Sequence, residues 1–142
     1  MKVARYQDLA VWQKSMDLVV NRYRATDGFP KSELFGLTSQ IRRAAVSIPA
    51  NVAEGFGRQG TPEFLHFLSV AYGSLLELET HLQIAARLEF LQSDRAAAGL
   101  SACAEIGRMI NGLSSALARR DAENNSRKGP RNRGAKSQSS ED

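Results

Sequence analysis

Cysteine is almost missing from this chain: one residue, Cys103, in 142. A lone thiol excludes an intramolecular disulfide framework and a cysteine-based zinc site, and it fits a reducing cytoplasm. Aromatic residues make up 7%, with a single Trp, and there are four Pro. That scarcity argues against a strand-and-turn fold. No apolar run approaches the roughly 18–20 residues of a membrane span or forms the core of a signal peptide. The first twenty residues are interrupted by Lys2, Arg5, Asp8, Lys14 and Asp17. The chain therefore reads as soluble and cytoplasmic. A body of this length hides roughly two-thirds of its unfolded surface, enough for one core without staples.

Charge is present but uneven. The net charge is +4, and residues 1–60 alone hold nine Lys/Arg against five Asp/Glu. Arg42 and Arg43 stand side by side, as do Arg119 and Arg120. A basic excess favours phosphate-bearing partners through counterion release. The plainer reading of the same residues is a solvated surface with arginines paired to Glu33, Glu54 or acids of the last helix.

Apolar periodicity predicts four helices. Leu9, Trp12, Met16, Val19 and Tyr23 recur at steps of three and four, giving a helix over about Asp8 to Arg24 with Asp8 as its N-cap. Asp27-Gly28-Phe29-Pro30 stops it. A second helix starts at Ser32 and carries Leu34, Leu37, Ile41, Ala44, Ile48 and Val52. Pro49 lies inside that stripe and removes one backbone hydrogen bond. Because the apolar phase continues past it, a kink is predicted rather than two short helices. Asn51 and Glu54 are candidates to cap the groups Pro49 frees, and Gly55 begins the exit turn.

The third helix starts at Thr61-Pro62 and runs to about Phe90, with Phe64, Leu68, Ala71, Leu75, Leu78, Leu82 and Ala85 in an unbroken seven-residue repeat. Leu65, Tyr72 and Leu76 form a second apolar edge, read either as a subunit interface or as a thicker core. The fourth helix spans Ser93 to Arg120 through Leu100, Cys103, Ile106, Ile110, Leu113 and Leu117. Gly99, Gly107 and Gly112 either permit close helix approach or mark tolerance. After Arg120 apolar residues nearly vanish, so residues 121–142 are predicted to be a disordered polar, basic tail behind a bundle of residues 1–120. Short connectors and heptad spacing give an all-α, antiparallel up-down-up-down four-helix bundle.

The same residues carry fragments of catalytic motifs without their required context. Gly55-Phe56-Gly57-Arg58-Gln59-Gly60 spells G-x-G-x-x-G, but a helix precedes it where the dinucleotide motif needs a strand. It reads as a helix–helix turn with Arg58 beside a helix N-terminus. Glu63-x-x-His66 occurs once, whereas di-iron bundles need two copies with two further glutamates. His66 and His81, fifteen residues apart on one helix, project about 22 Å from each other and share no metal. Cys103 lies on an apolar stripe as a core thiol. Neither an enzyme nor a cofactor or metal is indicated.

The segments Gln40–Gly55, with Ser47-Ile48-Pro49-Ala50-Asn51 inside a helix, and Ala71–Thr80, together with Leu9-Ala10-Val11-Trp12, resemble the four-helix-bundle family of 23S rRNA-intervening-sequence proteins. The resemblance covers about Tyr6 to Leu117. It implies a ring-like homopentamer of four-helix subunits. A related group, the accessory subunits of diversity-generating retroelements, binds nucleic acid and a reverse transcriptase through a basic ring. Carried over, this makes Arg42 and Arg43, followed by Arg58, the contacts for RNA or DNA. Five copies would gather their charges on one ring, and multivalency turns weak contacts into avidity. The alternative is a protein–protein scaffold or accessory subunit, for instance of a reverse transcriptase, with no direct nucleic-acid role.

Overall fold

A computed structural model describes residues 3–129. It contains four helices, α1 (Ala10–Thr26), α2 (Leu37–Gly57), α3 (Thr61–Arg87) and α4 (Ser93–Arg127), and no strand among the described residues. Short 3-10 turns at Tyr6–Asp8 and Lys31–Glu33 precede α1 and α2. Each helix packs on its neighbours in the chain, and α1 closes the ring against α4. Contacts fix the direction of three of these pairs. Arg43 meets Glu77, Ser47 meets Ser74 and Gly55 meets Phe67 across α2 and α3. Gly99 faces Leu82 and Gly107 faces Leu75 across α4 and α3. Lys14 meets Glu105 while Arg22 meets Gly99 across α1 and α4. In each pair one number falls as the other rises, so the helices run antiparallel. No described helix is long and apolar enough to cross a membrane.

The third helix follows its heptads. Leu68, Ala71, Leu75, Leu78, Leu82 and Ala85 are buried, and with Ile41, Ile48, Val52 and Ile110 they fill the core. Helix α2 runs through Pro49 as one helix rather than as two meeting there.

Helix α1 departs from expectation. Its buried face is Val11, Ser15, Leu18, Arg22 and Thr26, while Met16 and Tyr23 are exposed. The polar residues fit the core face because Ser15 Oγ donates to the Val11 carbonyl at 2.6 Å and Thr26 Oγ1 to the Arg22 carbonyl at 2.8 Å. A hydroxyl bonded to its own helix loses little on burial. Asp8 is not the N-cap: it ends the preceding 3-10 turn, and the cap position is Leu9. Nor does α2 start at Ser32. It starts at Leu37, whose amide donates to Glu33 Oε2 at 3.0 Å.

Helix α4 continues seven residues past Arg120 to Arg127. Ala122 and Glu123 are good helix formers, and adding a residue to an existing helix is easy compared with nucleating one. The remainder of the expected tail, residues 130–142, lies outside the described residues.

Candidate nucleic-acid interface

Arg42 and Arg43 project from the first half of α2 beside α1. They are held differently. Arg42, whose side chain is 23% exposed, donates through Nε to Thr26 Oγ1 at 2.9 Å and through Nη2 to the Tyr23 carbonyl and Asp27 Oδ1, each at 3.3 Å. Its guanidinium lies over the Tyr23 ring, 4.7 Å from the centroid. Arg43 is 72% exposed, donates to Gln40 Oε1 at 2.8 Å and stands 3.7 Å from Glu77 Oε1. Such an exposed, long ion pair contributes little and leaves the cation open to solvent.

Arg58 does not join them. It follows α2 at the other end of the bundle, about 24 Å along the axis from Arg42. It pairs with Glu54 at 2.8 Å and lies 5.1 Å from the Phe67 ring centroid. The Glu54 hydrogen bond and charge push its guanidinium up from the ordinary value. The glycine run around it has α2 before it and α3 after it, with Gly60 at φ 96°, a helix–helix turn. Among the described residues no group of three metal-ligating side chains is assembled.

The residues expected to answer Pro49 act elsewhere. The carbonyl that loses its amide partner is that of Ala45, four residues before the proline. Asn51 Nδ2 instead donates to the Ser47 carbonyl at 2.7 Å and to Ser47 Oγ at 3.0 Å, and Ser47 Oγ meets Ser74 Oγ of α3 at 2.7 Å. Glu54 is committed to Arg58. Gly55 serves helix approach: a Cβ there would lie 2.6 Å from Phe67 Cβ.

The second apolar edge of α3 divides. Tyr72 packs on the core beside Gly107 of α4, and Leu65 is half-buried. Leu76 is exposed, as are Ile84 further along the same helix and Leu88 just past its end.

The structure adds a groove that the sequence did not reveal. Tyr23 and Phe35 border a hollow of about 510 Å³ between α1 and the start of α2, with Arg42 and Arg43 in its wall. A second hollow of about 150 Å³, reaching Asp27 and Lys31, shares Leu34, Thr38 and Arg42 with the first. Phe35 is 94% exposed. Its place in a connector, off every helical stripe, hid it from periodicity. The signal available was its position directly after Leu34, two adjacent large apolar residues ahead of a glycine.

The 23S rRNA-intervening sequence protein family model matches residues 7–112. The chain belongs to this family. Among solved structures, one of a protein with unknown function from the S23 ribosomal protein family of Bacteroides thetaiotaomicron VPI-5482 is similar, with a TM-score of 0.66 and 24% identity. That match covers 74% of this chain and 98% of the other, and it shows a shared fold. No curated protein matches. The family match spans α1, α2 and α3 and ends within α4, so Arg42, Arg43 and the groove lie inside it.

Proposed function

We propose that this 23S rRNA-intervening sequence protein is a non-enzymatic, oligomeric bundle that holds RNA or DNA by weak electrostatic contacts on its α1–α2 face. The observation that carries the reading is Arg43, 72% exposed beside the partly exposed Arg42 on the rim of one groove. A cation open to solvent can replace the counterions of a phosphate, whereas Arg58 is held by Glu54 at 2.8 Å, closer than the 3.7 Å between Arg43 and Glu77. A homopentamer in the cytoplasm multiplies each such contact. The exposed Leu76 and Ile84 of α3, with Leu88 just past its end, lie away from that groove and supply apolar surface for self-association.

Filter binding of labelled RNA and DNA over a salt series, with light scattering on the same sample, tests this. Binding that weakens as salt rises, by a particle several times the mass of the chain, supports it. No retention at about 50 mM salt defeats it, because low salt is the most permissive condition for counterion release.

A second reading, an accessory subunit that docks a protein such as a reverse transcriptase, is favoured by the same α3 residues and by an apolar hollow of about 300 Å³ between Leu9 and Val11 of the α1 end and Met109 and Leu113 of α4. Co-purification with the product of a neighbouring gene, lost on substitution of these residues, separates it from the first.

A further inference from the structure

We propose that the α1–α2 groove seats an unpaired nucleobase, so that the nucleic acid this chain holds is single-stranded. The inference rests on the nucleic-acid reading above and narrows it.

The rings come first. Phe35 offers a bare aromatic face at the mouth of the groove, 94% exposed. Tyr23 stands in the same hollow with the Arg42 guanidinium over its ring. Nucleobases stack on such rings whatever their sequence, and arginine adds a cation–π contribution. The larger hollow, about 510 Å³, is open to solvent and has room for one base against these rings.

Polar groups in the groove are short of partners. Thr38 is 3% exposed and lines both hollows, and its Oγ1 is buried with no hydrogen-bond partner among the described residues. That hydroxyl is closed off beneath the groove floor, so the polar group turned toward the hollow is the Arg42 guanidinium. Arg42 uses Nε and Nη2 within the chain, and no hydrogen bond within the described residues engages its Nη1.

Charge selects the occupant. The two hollows are lined by Arg42, Arg43 and Lys31 against one carboxylate, Asp27. A purely apolar partner would cover Arg43 without answering its charge. A strand of nucleic acid places its phosphates at Arg43 and its base in the hollow. A duplex keeps its bases stacked inside and brings only phosphate.

The test uses the full chain, labelled oligo(U), and the same strand annealed to its complement. Fluorescence anisotropy at low salt is compared for the wild type and for Phe35→Ala, Thr38→Val and Arg43→Gln. Phe35 is solvent-exposed, so its truncation leaves the core intact. The expected result is at least a fivefold loss of oligo(U) affinity in Phe35→Ala, with duplex affinity and the salt slope unchanged. Thr38→Val, beneath the groove floor, leaves both affinities unchanged, and Arg43→Gln weakens both nucleic acids alike. Iodouracil-substituted oligo(U) is expected to crosslink to Phe35 or Tyr23 by mass spectrometry.

Unchanged oligo(U) binding by Phe35→Ala, or a crosslink confined to other elements, overturns the inference while nucleic-acid binding itself stands. Dissociation of the oligomer by Phe35→Ala also overturns it, by assigning the patch to a second copy. If the wild type binds neither nucleic acid, the reading beneath it falls as well.

Discussion

A Cβ added to Gly55 of α2 would sit 2.6 Å from the Cβ of Phe67 on α3, closer than two carbons approach without bonding. Phe67 cannot yield by changing rotamer, because its Cβ is fixed to the backbone. Gly55→Ala therefore forces α2 and α3 apart at this end and costs about 1–3 kcal/mol by overpacking. Gly73 and Gly112 are also helical, and a Cβ there meets nothing within 4 Å. Alanine at either position is expected to raise stability by up to ~1 kcal/mol through helix propensity. Urea unfolding followed by circular dichroism compares the three, and equal effects would remove the close-approach account.

Arg22 is buried, and its Nε and Nη1 have no hydrogen-bond partner among the described residues. Burial pushes its guanidinium below the ordinary value. Arg22→Met keeps the length of the side chain and removes the desolvated charge. It is expected to stabilise the fold by about 1–3 kcal/mol. A loss of stability in the same urea titration would assign the guanidinium a structural partner.

Cys103 gives a pH signature. Desolvation, with the nearby Glu79 charge, pushes its thiol from 9.0 up to about 12. The folded state thus favours the protonated thiol, and a raised group stabilises fully below its unfolded value. Between pH 9 and 12 the unfolded chain loses the proton first, so stability falls as pH rises. The slope from this one group reaches at most ~1.4 kcal/mol per pH unit. Cys103→Ala is less stable at neutral pH because of the cavity, yet its alkaline slope is shallower. Denaturation series across that pH range compare the two slopes.

Ser47 is a junction: it accepts from Asn51 Nδ2 at its carbonyl and at Oγ, and its hydroxyl meets Ser74. Ser47→Ala removes both contacts to the hydroxyl, and Ser74→Ala removes one. At about 0.5–1.5 kcal/mol for each bond, the first substitution is expected to cost more. The double variant is expected to cost less than the sum, since the two residues share a bond.

Arg43→Gln is expected to weaken nucleic-acid binding and to reduce the salt slope by about one unit. Arg58→Gln changes both less, because Arg58 is hydrogen-bonded to Glu54 at 2.8 Å and lies at the other end of the bundle from the groove. Reversed magnitudes in filter binding would move the interface to the α2–α3 end.

The residues of α3 declared themselves in the sequence because large apolar side chains fall on one heptad track and nothing polar interrupts it. Helix α1 did not, since its core face carries Ser15, Arg22 and Thr26 while Met16 and Tyr23 face out. Hydrophobicity measures transfer from water, and it misses a hydroxyl that takes its hydrogen bond inward with it. The arginine pair was legible by composition and family resemblance. That Arg42 is tethered while Arg43 is open depends on Thr26 and Asp27, sixteen and fifteen positions before Arg42, where only folding brings them near. The groove is a product of packing. No periodicity marks a connector phenylalanine, and no composition records a hydroxyl left unpaired.

The antiparallel pairings also say where length can vary. Across α2 and α3, partners 43 with 77, 47 with 74 and 55 with 67 stay in step along the whole contact. One inserted residue would turn everything beyond it by about 100° and carry buried side chains out to water. Insertions and deletions are thus expected to be tolerated only in the three connectors, residues 27–36, 58–60 and 88–92. The first of these carries Phe35, so the mouth of the groove can be remodelled by natural variation while the bundle beneath keeps its register.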